Sequence, residues 1–322
     1  MCGCEKLLKA IDNYIAKADD DLKDALEAEG YAEPGMTVKR ISDIEDAIAE
    51  ALENESELFI TNANTCIDVE TFAARIWPGV QLDDQTAEKI QEIFIEQMEE
   101  YLPDLIKPYL KRTDKGLTLT SVSKRTTAWV QSWGKQLGQL MQLTSHNELQ
   151  SILDKNLKDG KGIQDFISDI QNSGIRNERY RARATAVTEA LRAHSVAQEE
   201  AIQQSPAVEE KEWVHTGSFR NDPRPNHEAM SGQIVPKDQP FTLYGADGGI
   251  YYPQYPRDIV LPAGESVNCR CIHRGIVSES VLGLSLERRK ELQAEAIAEM
   301  DDQWEKELAE RNKAKAGIEE IL

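Results

Sequence analysis

The stretch between Trp213 and His273 constrains the fold most, because it interrupts an otherwise helical pattern. On both sides of it, apolar residues recur at intervals of three and four positions, which is the spacing of amphipathic helices. The stretch itself alternates short apolar pieces with turns rich in glycine and proline, as at residues 244–256. The sequence therefore predicts a mainly α-helical chain that carries one small, loop-rich α+β module.

Helices are predicted wherever the apolar spacing is bounded by start and stop signals. Ser42 and Ser145 are each followed three residues later by a glutamate, so both predict a helix start through a capping box. Gly134 and Gly138 lie four positions apart and predict close packing against a neighbouring helix. The first predicted helix covers residues 5–30, the second begins at Ser42, and the third covers 69–76 and is stopped by Trp77-Pro78-Gly79. The fourth begins at Asp83 or Asp84, and Pro103 and Pro108 kink it or end it. The remaining predicted helices cover 121–142, 145–160, 163–174, 177–204 and 285 onward.

The module is expected to contain a small sheet, with its first strand at residues 211–216 and its last at 272–277. A soft boundary is expected at residues 113–119, where the helical spacing lapses. The predicted organisation is a helical N-terminal domain at 1–112, a helical connecting segment at 113–175, the α+β module at 176–277 and an exposed C-terminal helix at 278–322.

Composition limits the classes of function. The net charge of −20 argues against a general nucleic-acid coat, because binding to phosphate needs clustered Lys and Arg. A local basic patch is still compatible with this charge. With no apolar run of about eighteen residues, no transmembrane helix is expected, and the polar start of the sequence predicts no signal peptide. Five cysteines in such a chain indicate reduced thiols or metal ligands rather than a disulfide framework.

A metal site is predicted within the module. Cys269, Cys271 and His273 alternate along one short segment, and in an extended backbone their side chains point to the same side. Thiolate sulphur and imidazole nitrogen are the usual ligands of Zn²⁺. We expect His227 to converge on Cys269 and Cys271, with Asp222, His215 or His273 completing the shell. The alternative is a pair of inert buried cysteines with hydrogen-bonded histidines.

The helix at 177–204 is the most basic segment of an acidic chain. Arg176, Arg179, Arg181 and Arg183 cluster at its start. One interpretation is a solvated face on which arginines pair with nearby acidic residues such as Glu189, Glu199 and Glu200. The other is a surface that binds an acidic partner, and we list these four arginines as candidate partner-binding residues.

No catalytic residue is predicted. The sequence contains no nucleophile elbow, no phosphate-binding glycine loop and no metalloprotease helix. The alternative function is a metal-dependent hydrolase or a toxin-like effector built on the same module, and it would require an open metal position that holds water.

An ordered set of motifs resembles a known family. The helix segment at 181–190 resembles the "Arg-Ala…Ala-Arg-Thr-Glu" helix of the phage minor head proteins that are similar to protein F of phage Mu. The further matches are Trp213 on a strand, the turn Asp222-Pro223-Arg224-Pro225-Asn226-His227, Gly232, and Asn268-Cys269-Arg270-Cys271. Together they span about residues 145–277. The chain departs from the pattern at Val187, which precedes Thr188-Glu189 where the family tends to have Arg, and at His215, where it often has a small or hydroxyl residue.

The resemblance implies a structural, low-copy minor capsid protein of a tailed-phage head. It implies a role in head morphogenesis within the procapsid, association with the portal protein and with the major capsid or scaffold protein, and contact with packaged DNA as a further expectation. It also implies a location in the virion head, after assembly in the host cytoplasm.

Overall fold

Helices dominate the computed structural model, which describes residues 18–216 and 223–319, with side chains described as far as residue 312. Helix α1 covers residues 18–28. The later helices are α2 Pro34–Asn64, α3 Val69–Thr71, α4 Trp77–Asp83, α5 Thr86–Thr113, α6 Lys124–Asp159, α7 Ile163–Gln171, α8 Glu178–Gln204, α9 Pro225–Met230, α10 Ala263–Ser266, α11 Glu279–Leu282 and α12 Leu286–Glu319. A π-helical turn, Phe72–Ile76, joins α3 to α4, and a 3-10 turn, Gly174–Arg176, precedes α8.

The described strands form two small antiparallel sheets. They are β1 Val208–Val214, β2 Ile234–Pro236, β3 Leu243–Tyr244, β4 Ile250–Tyr251 and β5 Ile272–Val277. The larger sheet has the order β2-β1-β5, and β3 pairs with β4 in the smaller one. In the larger sheet Trp213 lies opposite His273, and Val214 lies opposite Ile272. The predicted fold class, mainly α with a small α+β module, is confirmed.

The first helix ends as predicted, but the second begins earlier than predicted. Gly30 adopts a left-handed φ of 83°, and Tyr31 N–H donates to the Leu26 carbonyl at 3.0 Å, which is the bonding pattern of a Schellman C-cap. Helix α2 begins at Pro34 rather than at Ser42. Proline suits the first turn of a helix, because its missing N–H would have no intrahelical partner there. The capping-box prediction at Ser42 was therefore wrong.

A second predicted helix start was wrong for a related reason. Ser145 lies inside the continuous helix α6, where its hydroxyl bonds with the Glu55 carboxylate instead of capping a new helix. Pro103 and Pro108 both lie inside α5 and do not end it, and the other predicted effect, a kink, remains a prediction. Helical packing outweighs these local signals, since stability in a long helix comes mostly from its buried face. The helix predicted to start at Asp83 or Asp84 is α5, which begins at Thr86, and Thr86 N–H donates to Asp84 Oδ1 at 3.0 Å.

The chain forms two compact units that share its long helices. The first unit contains residues 1–40, 100–128 and 188–322, and the second contains residues 41–99 and 129–187. Helices α2, α5, α6 and α8 supply residues to both units. These units join segments that are distant in sequence, whereas the predicted division into 1–112, 113–175, 176–277 and 278–322 used consecutive segments. That division remains a prediction.

The second unit has an aromatic core. Phe72 packs against Phe166 with ring centroids 5.1 Å apart, and both side chains are fully buried. Close helix packing at Gly138 is confirmed, because a Cβ there would lie 2.1 Å from the Ala87 carbonyl oxygen. The α5 and α6 backbones therefore approach each other so closely that only glycine fits.

The first unit contains a buried polar network and the α+β module. His194 Nε2 lies 2.8 Å from Thr37 Oγ1, and its Nδ1 lies 2.8 Å from the Tyr109 hydroxyl. Burial lowers the pKa of His194 to about 3, so the ring stays neutral. Helix α12 is fixed within this unit by the ion pair of Arg289 with Asp114 at 2.7 Å. Among the described residues, no helix combines the length and the apolar character that crossing a bilayer requires.

Candidate metal centre

The module is built around Trp213 on the central strand β1. Its side chain is fully buried and contacts Phe241 edge to face, with ring centroids 5.4 Å apart. The buried side chains that share this core are Met230, Phe241, Leu243, Leu261, Cys269 and Cys271. The His- and Cys-bearing segments are thus held by packing against one indole ring.

The structure brings His227, Cys269 and Cys271 together at the edge of this core. His227 lies on the short helix α9, and the cysteines immediately precede β5. His227 Nδ1 is 3.5 Å from Cys269 Sγ and 3.6 Å from Cys271 Sγ. All three residues are about 2% exposed, and their candidate ligand atoms lie within 4.8 Å of one another.

These separations fit a tetrahedral zinc ion. With Zn–S bonds of about 2.3 Å and Zn–N bonds of about 2.0 Å, neighbouring sulphur and nitrogen ligands lie roughly 3.5 Å apart. The donor set of two thiols and one imidazole is also the set that Zn²⁺ favours. The three residues can therefore hold zinc with little rearrangement, and metal binding itself stays a prediction.

His215 lies beside the cluster as a candidate fourth ligand. Its Nδ1 is 3.5 Å from Cys271 Sγ, and its Nε2 is buried without a hydrogen-bond partner. His215 follows the last residue of β1, so it faces Cys271 across the continued register of β1 and β5. Asp222, the other candidate outside the segment, lies outside the described residues.

His273 lies in a different cluster, which corrects its predicted place in the shell. Its Nε2 is 3.0 Å from Glu199 Oε2 on α8, and Lys211 Nζ bonds with the same carboxylate at 2.8 Å. Cys269 lies in a turn before β5, where Asn268 adopts a left-handed φ of 58°. The His273 ring is directed at α8, so alternation along the segment does not bring it to the cysteines.

A layer of polar groups orients the cluster. His227 Nε2 is 2.8 Å from Glu265 Oε2, and Glu265 also accepts hydrogen bonds from Ala246 N–H at 2.8 Å and from the Asn226 amide at 3.1 Å. A carboxylate behind a ligating histidine fixes its tautomer and ring orientation. Burial opposes protonation of His227, but the Cys269 sulphur and Glu265 together raise its pKa.

Arg257 supports the cluster from behind. This buried residue donates to the carbonyls of Cys269 at 2.6 Å and Cys271 at 3.0 Å, and to Ser195 Oγ at 2.7 Å. The hydrogen bond from Cys271 lowers the pKa of the Cys269 thiol, although burial opposes ionisation, and the nearby Arg257 charge adds to the lowering. Ionisation of Cys269 favours metal binding, because the thiolate is the ligating form.

Sequence reasoning missed Glu265 and Arg257. Glu265 lies four residues before Cys269, but nothing in its local sequence distinguishes it from other surface glutamates. Arg257 lies in a loop and adopts a left-handed φ of 65°. The local sequence Tyr-Pro-Arg-Asp does not predict this conformation, because arginine rarely adopts a positive φ.

The four candidate partner-binding arginines lie in the second unit and contact residues of their own chain. Their acidic or hydroxyl partners lie on α2 and α6 rather than at Glu189, Glu199 and Glu200, which the solvated-face interpretation named. The pairs are Arg176 with Glu57 at 2.7 Å, Arg179 with Asp46, Arg181 with Ser145 at 2.8 Å, and Arg183 with Glu45 at 3.0 Å. Binding of a partner at these residues remains a prediction.

Comparisons with known proteins give the same family as the motifs. The family model described as Phage Mu protein F like protein matches residues 133–274. The uncharacterized protein YqbB of Bacillus subtilis (strain 168) is 30% identical over 305 residues, covering 92% of this chain and 99% of that relative. No solved structure matches.

The fold and the site together define a mainly helical protein with a small antiparallel module that encloses a His–Cys–Cys cluster. The chain belongs to the Phage Mu protein F like family, and so to the phage head-morphogenesis proteins.

Proposed function

We propose that this protein is a structural minor component of a tailed-phage head, present in few copies and acting in procapsid assembly at or near the portal. The observation that carries the proposal is family membership, since the family match covers the α+β module and the relative aligns along almost the whole chain. The protein would reside in the virion head after assembling in the host cytoplasm.

The chemistry of the candidate metal centre supports a structural role over a catalytic one. His227, Cys269 and Cys271 are each about 2% exposed and belong to a packed core. A catalytic zinc keeps a position open for water and substrate, whereas a structural zinc is enclosed by protein ligands. Zinc here would join α9 to the segment before β5 and stabilise a region with few large apolar residues, because its binding energy adds to the folding energy.

Elemental analysis tests this part of the proposal. Protein purified without a His tag should contain about one equivalent of zinc at the centre, and a chelator should lower its melting temperature. Zinc well below one equivalent, with an unchanged melting temperature in chelator, would show that His227, Cys269 and Cys271 do not bind zinc.

The partners proposed are the portal protein and the major capsid or scaffold protein. The net charge of −20 favours basic surfaces on a protein partner over broad contact with DNA. DNA association would be confined to a local basic patch, and it should weaken steeply with added salt.

The arginine-rich start of α8 differs from the acidic remainder of the chain, and it is the proposed contact surface for an acidic patch on the portal protein. Arg179 is its most accessible member, with 68% of its side chain exposed, and Asp46 on α2 is its partner. Reversing the charge alone as Arg179→Asp would disturb both this ion pair and any contact with a portal protein. The double variant Arg179→Asp with Asp46→Arg retains the internal pair while it exchanges the two charges.

Co-purification with the portal protein separates these effects. Arg179→Asp should weaken capture of the portal, and the double variant should keep the melting temperature of the parent without restoring full capture. Capture that remains equal to the parent in both variants would exclude Arg179 from the interface.

A further inference from the structure

We propose that Glu55, Asp84 and His146 form a site for a divalent transition-metal ion in the second unit, separate from the cysteine-containing centre. The three candidate ligand atoms lie within 4.8 Å of one another. Glu55 lies on α2, Asp84 precedes α5 and His146 lies on α6. An ion bound there would cross-link three helical segments that are distant in sequence.

Each of the three side chains is held in place by its surroundings. Asp84 Oδ1 accepts hydrogen bonds from the backbone N–H of Thr86 at 3.0 Å and from its hydroxyl at 2.6 Å. Asp84 Oδ2 faces His146 Nε2 at 2.7 Å. Glu55 Oε2 accepts a hydrogen bond from the Ser145 hydroxyl. The ligand atoms are therefore oriented before any ion binds, which reduces the entropy lost on binding.

Glu55 supplies the observation that points to a ligand. The residue is 2% exposed, and its Oε1 is buried without a hydrogen-bond partner. A buried carboxylate oxygen without a partner is costly, as is a second carboxylate close to it. Arg181 stabilises the charge of Glu55 through space, but its hydrogen bonds go to Ser145 Oγ at 2.8 Å and Met141 O at 3.3 Å rather than to the carboxylates. A cation between Glu55 and Asp84 would satisfy both carboxylates.

The donor set indicates the kind of ion. Two carboxylates and one imidazole suit Zn²⁺ or Mn²⁺. The thiolate ligands of the cysteine-containing centre favour softer metal ions. Ligand atoms around a tetrahedral zinc lie roughly 3.3 Å apart when the bonds are about 2.0 Å long. The Asp84–His146 contact at 2.7 Å would widen by about 0.6 Å, and the longer separations would contract. Three ligands on the chain leave a fourth position for water.

Cobalt absorption distinguishes this site from the cysteine-containing centre in the full-length protein. Co²⁺ bound by thiolates produces a sulphur-to-metal charge-transfer band in the near ultraviolet, whereas Co²⁺ bound by oxygen and nitrogen shows only d–d bands in the visible region. Titration of metal-free protein with Co²⁺ should give a d–d component that is lost in Glu55→Gln and in His146→Gln. The charge-transfer band should be unchanged in both variants.

Matched variants control for effects of substitution. Glu53→Gln and Asp83→Asn change exposed residues beside two of the ligands and should retain the d–d component. Asp84→Asn provides a third test variant, because the asparagine oxygen can still accept the Thr86 hydrogen bonds if the other variants fold poorly. Circular dichroism verifies folding in each case.

Equilibrium dialysis against Zn²⁺ gives the second readout. The parent should retain one equivalent more than each ligand variant, and the double variant Cys269→Ser with Cys271→Ser should still lose one equivalent on Glu55→Gln. Equal metal content in the parent and in folded Glu55→Gln and Asp84→Asn variants would overturn the proposal and leave a proton-sharing carboxyl pair. This outcome would not affect the proposed head role, which rests on other residues.

Discussion

His215 and Cys271 face each other at the open end of the β1–β5 pair, with His215 Nδ1 3.5 Å from Cys271 Sγ. The pairing of Val214 with Ile272, continued by one residue, produces this contact. The register of the sheet therefore places an imidazole at the distance expected between two ligands of one zinc ion.

Substitution of His215 should weaken zinc binding. His215→Ala removes the candidate fourth ligand, and we expect the affinity to fall by more than about tenfold, since loss of a second-shell group alone costs about 10–100-fold. Competition with a chromophoric chelator measures the change. His273→Gln is the comparison, because His273 bonds with Glu199 and should affect stability but not zinc affinity. The opposite ranking of the two variants would exclude His215 from the fourth position.

Glu265 should tune the centre through His227. Glu265→Gln weakens the acceptor that faces His227 Nε2 at 2.8 Å, so we expect zinc affinity to fall by about 10–100-fold. Glu228→Gln, which changes an exposed residue on the same helix α9, should leave the affinity unchanged. Isothermal titration with Zn²⁺ measures the affinity of both variants. Identical affinities would show that Glu265 contributes to packing of the module but not to zinc binding.

Two helical glycines should respond to alanine in opposite directions. Gly138→Ala would place a Cβ 2.1 Å from the Ala87 carbonyl oxygen, so α5 and α6 must separate. We expect a loss of about 1–3 kcal/mol in the free energy of unfolding. A Cβ at Gly79 in α4 meets nothing within 4 Å, so Gly79→Ala should stabilise by about 0.5–1 kcal/mol. Urea denaturation compares the two, and a neutral Gly138→Ala would refute the close approach.

The stability of the metal-free protein should depend on pH through Glu55. Burial raises the pKa of Glu55 to about 8, against the hydrogen bond from Ser145, while Asp84 raises the pKa further and Arg181 lowers it. The unfolded carboxyl loses its proton near pH 4.5, whereas the folded one keeps it until about pH 8. The folded state thus binds more protons between these values, and its stability falls as pH rises through them, by about 3–5 kcal/mol at most.

Glu55→Gln isolates this effect from the other groups that face the carboxyl, namely Asp84, His146 and Arg181. The amide can still accept a hydrogen bond from Ser145 but cannot ionise. The free energy of unfolding of the variant should therefore rise relative to that of the parent as pH increases from 5 to 8.5. Urea denaturation in chelator at several pH values measures the difference. A constant difference between the parent and the variant would show that Glu55 does not carry a raised pKa.

The elements that were predicted well have strong periodic patterns. Helix α8 and strand β5 lie within a residue or so of their predicted bounds. The helix starts that were predicted wrongly rested on local signals, as at Ser42 and Ser145. Capping boxes and prolines report on a few residues, whereas the buried face of a long helix depends on packing along its whole length.

The sequence predicted the ligand residues of the site but not the groups that support them. Cys269 and Cys271 lie two positions apart on one short segment and His227 ends a turn, so residue type and spacing were enough to group the three. The supporting groups Glu265 and Arg257 were missed, since they are defined by contacts across the module. The cluster of Glu55, Asp84 and His146 was missed for the same reason, because its members lie on three separate helical segments.

Peptide mass spectrometry on purified virions and empty procapsids tests the proposed head role most directly. The particles should come from the phage or induced prophage that encodes the chain, and the portal protein should serve as the internal standard for copy number. The account predicts a few copies of the protein per particle in both preparations. Absence from both, with the portal protein readily detected, would contradict it.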